Sequence, residues 1–281
     1  MTHMPRRHFL TALGSAALLA NLSAQTRKSR YKQSAMIFNF PPNTKLDDAC
    51  AVAARLGLSG FDLIDAKDFP TLKKHGLICS LYHNNANTFE DGVIRPGVEQ
   101  AQEKMLHADI DLAAANGVPN VIIVGGQKKG MSPEEGMDRT VAFLNKVKAH
   151  AEDKQVTIVL EPVNPVDRPD QLFNRLGLTF EICKRVNSPR VKVLFDIYHA
   201  QKIDGDVTRN IRENFQWIGH FHTAGVPARR EIDDTQELNY HYIAQTIADL
   251  NYTGYIAHEY RPSPDRDYVK SLEQAVKIMT V

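Results

Sequence analysis

Cysteine and tryptophan are scarce in this chain, and neither sign of charge is in excess. Its three cysteines, Cys50, Cys79 and Cys183, are scattered through 281 residues. They are too few for a disulfide framework and none has zinc-finger spacing, so each is expected to pack as a small apolar residue. The 34 lysines and arginines against 33 aspartates and glutamates leave a net charge of +1. With no polybasic run, nucleic acid and acidic membrane are excluded as general partners. No glycine-rich dinucleotide or Walker loop follows any predicted strand, which argues against an open nucleotide-binding sheet. There is no tandem repeat and no composition shift that marks a second domain. Long hydrophobic runs are missing too, since the apolar stretch Thr11 to Ala20 holds about ten residues, roughly half of what crosses a bilayer as a helix.

That stretch follows Arg6-Arg-His-Phe-Leu10 and leads to Ala24. A charged start, a short apolar core and small residues before a cleavage point describe a secretory signal, and paired arginines followed by x-Phe-Leu point to the twin-arginine route. The expectation is a signal peptide over residues 1–24, a polar linker over 25–33 and a catalytic domain over 34–281. The mature protein would then be periplasmic or otherwise exported, with no stable membrane insertion. An anchoring or amphipathic N-terminal helix is the alternative.

What remains is rich in order: 43% of the residues are hydrophobic, enough for a full core in one large domain. Eight β-prone runs are predicted as strands, at Ala35–Phe40, Gly60–Ile64, Ile78–His83, Asn120–Gly125, Thr157–Glu161, Lys192–Asp196, Trp217–His222 and Gly254–Glu259. Amphipathic helical patterns separate them and one, Asp267–Met279, follows the last. Eight strand–helix units in about 250 residues predict a single (β/α)8 TIM barrel.

Four of the runs end in a potential ligand: Glu161, Asp196, His222 and Glu259. In a barrel of this kind the C-terminal strand ends converge on one mouth. Three carboxylates placed together repel unless a cation lies among them, so the four are read as ligands of a divalent metal. Oxygen-rich ligation with one imidazole suits manganese, magnesium or cobalt better than a structural zinc, though zinc fits the donor types as well. Nearby, His199 lies three residues past Asp196 and is a candidate for holding a substrate oxygen. Arg229 can grip a carboxylate, with Glu231 to orient it, whereas Arg230 reads as a solvated loop charge. Asn164, with Asp167 and Arg168, sits in a proline-bounded loop beside Glu161, and His83 ends the third strand; both Asn164 and His83 are candidate substrate contacts. His220 is expected one layer deeper than His222, His258 is expected to point outward, and Asp62 and Asp65 are expected to be structural or solvated.

At these residues the chain resembles the hydroxypyruvate isomerase family, within the wider group of xylose isomerase-like sugar isomerases and epimerases. The likeness covers essentially everything after the leader. It is most specific in Glu161-Pro-Val-Asn164 with Asp167, in Phe195-Asp-Ile-Tyr-His-Ala-Gln201 with Gly205-Asp206, from Gly219 through Tyr240, and in Glu259-Tyr-Arg-Pro262. The resemblance implies the barrel, the metal and the isomerase class. It also implies that Glu161 and Glu259 are the proton-transferring pair, both binding metal with Asp196 and His222. Many family members have glutamine at the place of His222, whereas related ketose 3-epimerases have histidine, so aldose–ketose isomerisation and epimerisation both stay open.

The expected chemistry is a metal-assisted proton shuttle on a 2-hydroxycarbonyl compound through an ene-diolate. For hydroxypyruvate the product is tartronate semialdehyde. The rivals are a ketose 3-epimerase, an epimerase or lyase of keto-sugars or keto-glycosides in the periplasm, and a non-catalytic sugar-binding barrel. Apurinic-site nucleases share the barrel but need a histidine-rich, multi-zinc mouth and a basic face, which this sequence does not show. The partner is a small hydroxy-keto acid or sugar; a homo-oligomer is compatible with all of these readings.

Overall fold

Eight short parallel strands, hydrogen-bonded to one another in chain order, close into a barrel when the last pairs back onto the first. They are β1 (Lys32–Ala35), β2 (Gly60–Asp62), β3 (Ile78–His83), β4 (Asn120–Ile123), β5 (Thr157–Leu160), β6 (Val191–Asp196), β7 (Ile218–Thr223) and β8 (Tyr255–His258). The helices are α1 (Leu46–Arg55), α2 (Phe69–Lys74), α3 (Glu99–Asn116), α4 (Pro133–Lys154), α5 (Leu176–Val186), α6 (Ile197–Ile203), α7 (Val207–Asn214), α8 (Tyr240–Asp249) and α9 (Tyr268–Met279). This computed structural model describes residues 30–83 and 87–281. The expected signal peptide lies outside the described residues. Among those residues, no helix is long and apolar enough to cross a membrane.

Strands covered on both faces are expected to be apolar throughout, and every residue of β4 and β5 is buried. Period-two geometry then separates two environments. Phe195 and Phe221 face the helices, in a chain of rings that joins Phe180 to Phe195 at 6.5 Å, Phe195 to Phe221 at 5.9 Å and Phe221 to Tyr252 at 5.0 Å. Their neighbours Leu194, Asp196 and His222 therefore face inward. A separate small cluster of Leu81, Ile122, Val159 and Leu194 packs together inside, with Leu63 against it. Local signals agree with the helix ends: the Ser132 hydroxyl accepts from Glu135 N at 3.1 Å with Pro133 at the first helical position of α4, a standard N-terminal arrangement.

One expectation needs correction. The first strand is Lys32–Ala35, earlier than the expected Ala35–Phe40, so the barrel begins inside the stretch read as linker. Ile37–Asn39 instead forms a single 3₁₀ turn, because the Asn39 side chain accepts from Met36 N and donates to Tyr260 O, both at 2.7 Å. A helix not singled out from the sequence, α6, starts directly from β6. Its N-cap is Asp196, whose Oδ1 accepts from Tyr198 N at 2.8 Å and from His199 N at 3.4 Å.

Candidate active site

Glu161, Asp196, His222 and Glu259 come together at the C-terminal end of the barrel, and one ligand atom from each lies within 4.8 Å of the others. The register makes this possible. Asp196 pairs with His222 and His222 with Ala257, while Glu161 N bonds to Ile123 O at 3.2 Å and Glu259 N to Thr223 O at 2.9 Å. The ladder thus runs one residue past β5 and past β8, and both glutamates keep the inward phase. Glu161 is 7% exposed and Asp196 and His222 1% each, so bare like charges here would be costly.

Arg229 answers part of that cost. Its Nη2 donates to Asp196 Oδ2 at 3.1 Å and to Glu259 Oε2 at 2.7 Å, and its guanidinium stands 5.1 Å from the Tyr198 ring centroid. His222 Nδ1 meets the same Glu259 oxygen at 2.7 Å. Burial would raise the Glu259 carboxyl, but the His222 and Arg229 charges outweigh it and hold Glu259 well below the usual range. For Glu161 burial is decisive, and the Glu259 charge adds to it, so its carboxyl is pushed well up. The two glutamates of one cluster therefore differ in proton affinity. His222 is held above the ordinary imidazole value, because the Glu259 charge and the Asp62 hydrogen bond overcome burial.

The other sequence candidates divide. His199 is 3% exposed; its Nδ1 accepts from Asn164 Nδ2 at 2.7 Å and from Asn164 N at 3.2 Å. That leaves Nε2 as the protonated nitrogen, 3.6 Å from Asp196 Oδ2. Asn164 was expected to touch substrate, but its amide is occupied by His199 and by Asp167, to which it donates at 2.9 Å. It orients His199. His83 packs beside Tyr82, ring centroids 5.9 Å apart, and is not one of the four converging residues. Arg168 stacks on Phe89 at 3.8 Å. His258 faces away from the barrel interior as expected, buried between Thr223 and Gln33.

The loop after β7 differs most from its reading. Glu231 does not orient Arg229; its carboxylate accepts from Ser263 N at 2.8 Å and Ser263 Oγ at 2.7 Å, tying this loop to the one after β8. Gly225 is required by that closeness, since a Cβ there would meet Glu231 O at 2.0 Å. Arg230 is half-buried rather than solvated, with Nη1 donating to Arg261 O at 3.3 Å and Pro262 O at 3.0 Å. Arg229, Arg230 and Arg261 all line a cavity of about 250 Å³ shared with Glu259, Ala228 and Phe38. Arg261 lies over the Phe38 ring at 4.4 Å.

Asp62 carries more contacts than its structural reading implied. It is 1% exposed; its Oδ2 meets His220 Nε2 at 2.6 Å and His222 Nε2 at 3.1 Å. Its Oδ1 accepts from Ser34 Oγ at 3.2 Å and from Ser80 Oγ. Burial alone would raise its pKa; the His220 and His222 contacts lower it below the ordinary range. The signal was available: Gly60-Phe-Asp62 is another apolar run that ends in an acid.

A model described as the xylose isomerase-like TIM barrel matches residues 50–278. The chain belongs to that family. A 2-oxo-tetronate isomerase of Haemophilus influenzae is 32% identical over 81% of this chain and 91% of its own length. A second protein of that name, from Cupriavidus necator, is 43% identical over 38% of this chain and 41% of its own length. A Drosophila melanogaster protein with a provisional hydroxypyruvate isomerase name is 29% identical over 68% of this chain and 74% of its own length. Among solved structures, a Brucella melitensis protein named AP endonuclease, family 2, superposes with a TM-score of 0.78 at 24% identity, covering 86% of this chain and 96% of that one. At that identity the likeness shows the fold.

Members of the xylose isomerase-like family are commonly metal-dependent, and the four converging side chains fit a divalent cation by donor type and spacing. A second group, Asp62 with His220 and His222, also comes close enough. There, however, a single carboxylate oxygen already sits within hydrogen-bond distance of both ring nitrogens.

Proposed function

We propose that this isomerase shifts the carbonyl between C2 and C3 of a short hydroxy-keto acid, of the hydroxypyruvate or 2-oxo-tetronate class, with Glu161 and Glu259 moving the proton. When bound, a divalent cation held by Glu161, Asp196, His222 and Glu259 would act as a Lewis acid on the adjacent substrate oxygens. Glu259, whose charge Arg229 stabilises, accepts the carbon-bound proton in one direction and Glu161 delivers a proton to the neighbouring carbon, while the hydroxyl proton passes to the former carbonyl oxygen. In the reverse direction the roles exchange. His199, with Nδ1 fixed by Asn164, presents Nε2–H to a substrate oxygen.

The observation that carries the choice of an acid is the arginine-lined cavity next to Glu259. Arg229 is already paired with Asp196 and Glu259, but a neutral ketose or keto-glycoside offers the Arg230 and Arg261 guanidinium groups nothing to neutralise, whereas a carboxylate can be bound bidentately. Both names borne by the curated relatives, 2-oxo-tetronate isomerase and hydroxypyruvate isomerase, denote such acids. Manganese-loaded protein incubated in deuterated water with hydroxypyruvate, 2-oxo-tetronate and neutral ketoses tests the reading by NMR and mass spectrometry. Deuterium should enter the acids, with hydroxypyruvate giving tartronate semialdehyde. Exchange confined to the neutral ketoses would replace this reading with the epimerase one, and binding without any exchange would leave only a sugar-binding barrel.

Arg230→Ala and Arg261→Ala should each raise KM for the acid by about 10- to 100-fold, the worth of a hydrogen bond to a charged group. Their kcat should stay within a few fold, since neither arginine bonds to the four converging side chains. Unchanged KM in both variants would move the carboxylate elsewhere.

Export by the leader is a separate part of the proposal, supported by Arg6-Arg7 and the short apolar core that follows. Cell fractionation of the full chain should find it exported. With Arg6→Lys and Arg7→Lys together it should stay in the cytoplasm, and continued export of that variant would remove the twin-arginine route.

A further inference from the structure

Two anions compete for the ring protons of His222. Glu259 Oε2 lies 2.7 Å from Nδ1, and Asp62 Oδ2 lies 3.1 Å from Nε2 on the opposite side. If His222 is to ligate through Nδ1, that nitrogen must be bare, so the neutral ring must carry its single proton on Nε2. Glu259 alone would favour the wrong tautomer.

We propose that Asp62 is a positioning residue for the metal centre, holding the His222 proton on Nε2 so that the Nδ1 lone pair faces Glu161, Asp196 and Glu259. The inference rests on the metal centre proposed above, and assigns to β2 a part in a site whose ligands all come from β5 to β8.

Asp62 is built for this. It is an inward-facing carboxylate reached by strands from around the barrel: Ser34 of β1 and Ser80 of β3 donate to Oδ1, while His220 and His222 of β7 share Oδ2. The two serines fix the orientation of the carboxylate, which leaves Oδ2 for the two imidazoles. His220 cannot serve as the acceptor in place of Asp62. Its Nδ1 faces Asn120 Nδ2 at 3.4 Å, and an amide nitrogen only donates, so the His220 proton is on Nε2 and also points at Asp62. Among the described residues Asp62 is the acceptor at His222 Nε2, so the charge on Asp62 is what balances that of Glu259. Hydrogen bonds to an ionised acceptor are roughly twice as strong as neutral ones, so an amide oxygen in the same place would lose to Glu259.

The test is Asp62→Asn, which preserves shape and one acceptor while removing the charge. Its manganese affinity, measured by calorimetry, should fall about 10- to 100-fold, the usual effect of removing the partner of a metal-bound histidine. Far-ultraviolet circular dichroism should be unchanged. Ser34→Ala with Ser80→Ala, which removes only the Oδ1 donors, should lower Tm while affecting manganese affinity much less. Should Asp62→Asn fail to fold, ring nitrogen shifts of His222 in the magnesium-loaded wild type decide the matter, and the proton should be on Nε2. A proton on Nδ1, or wild-type manganese affinity in Asp62→Asn with a lowered Tm, would reduce Asp62 to a structural group. Wild-type protein that bound neither metal would instead overturn the centre itself, which is a different failure.

Discussion

Glu161→Gln and Glu259→Gln should each lower kcat for isomerisation by about a thousandfold, within the range that general acid–base groups contribute. Glutamine keeps the size of the side chain and one oxygen that could ligate, and removes its charge and its ability to exchange a proton. Neither glutamate is part of the apolar core, so both variants should show wild-type circular dichroism. They should differ in one respect. Glu259 is the shared acceptor of Arg229 and His222, so its neutralisation leaves Arg229 with Asp196 alone and should weaken substrate binding as well. Among the described residues Glu161 has no such hydrogen-bonded charge partner, and its variant should lose kcat with little change in KM. A variant of either residue that turned over at the wild-type rate, with metal bound, would remove proton transfer from that side chain.

Chelation should be nearly as severe. Removing divalent ions should abolish exchange of substrate protons with solvent, and manganese added back should restore it. The same treatment reads out on stability, because a ligand that binds only the folded chain at a hundred times its Kd stabilises by about 2.7 kcal/mol. For a chain of this length that corresponds to a Tm loss on the order of 5–10 °C on chelation. The pH dependence has a fixed sign. His222 has a raised proton affinity and must give up its Nδ1 proton to ligate, so manganese affinity should fall as pH is lowered. Full activity and unchanged Tm in thoroughly chelated protein would exclude a metal from the reaction.

The same cluster shows why some residues were legible and others were not. Glu161, Asp196, His222 and Glu259 each follow an apolar run and share an inward phase, so a barrel brings them together whatever the loops do. Asp62 carries the same mark, but its meaning depends on His222, 160 residues away. Asn164 was placed beside the site correctly, while its role depended on the direction of one amide, which turns to His199. Glu231 was assigned to its sequence neighbour Arg229, yet bonds to Ser263 across two loops. The first strand was misplaced because Met36 to Phe40 is as apolar as a strand, and only the Asn39 side chain, bonded to Met36 and Tyr260, turns it into a 3₁₀ segment.

Residue order by itself determined the barrel, the inward phase of its strand ends and the convergence of three carboxylates with a histidine. These follow from short-range periodicity, because the two-residue period of a strand sets which side chains share the inner face and strand–helix repetition sets closure. Tertiary structure alone decided which charge answers which: Arg229 lies on Asp196 and Glu259, three arginines share one cavity, and His222 is suspended between Glu259 and Asp62. Hydrogen bonds and ion pairs act over a few ångströms in space, and local sequence patterns do not encode distances across the barrel.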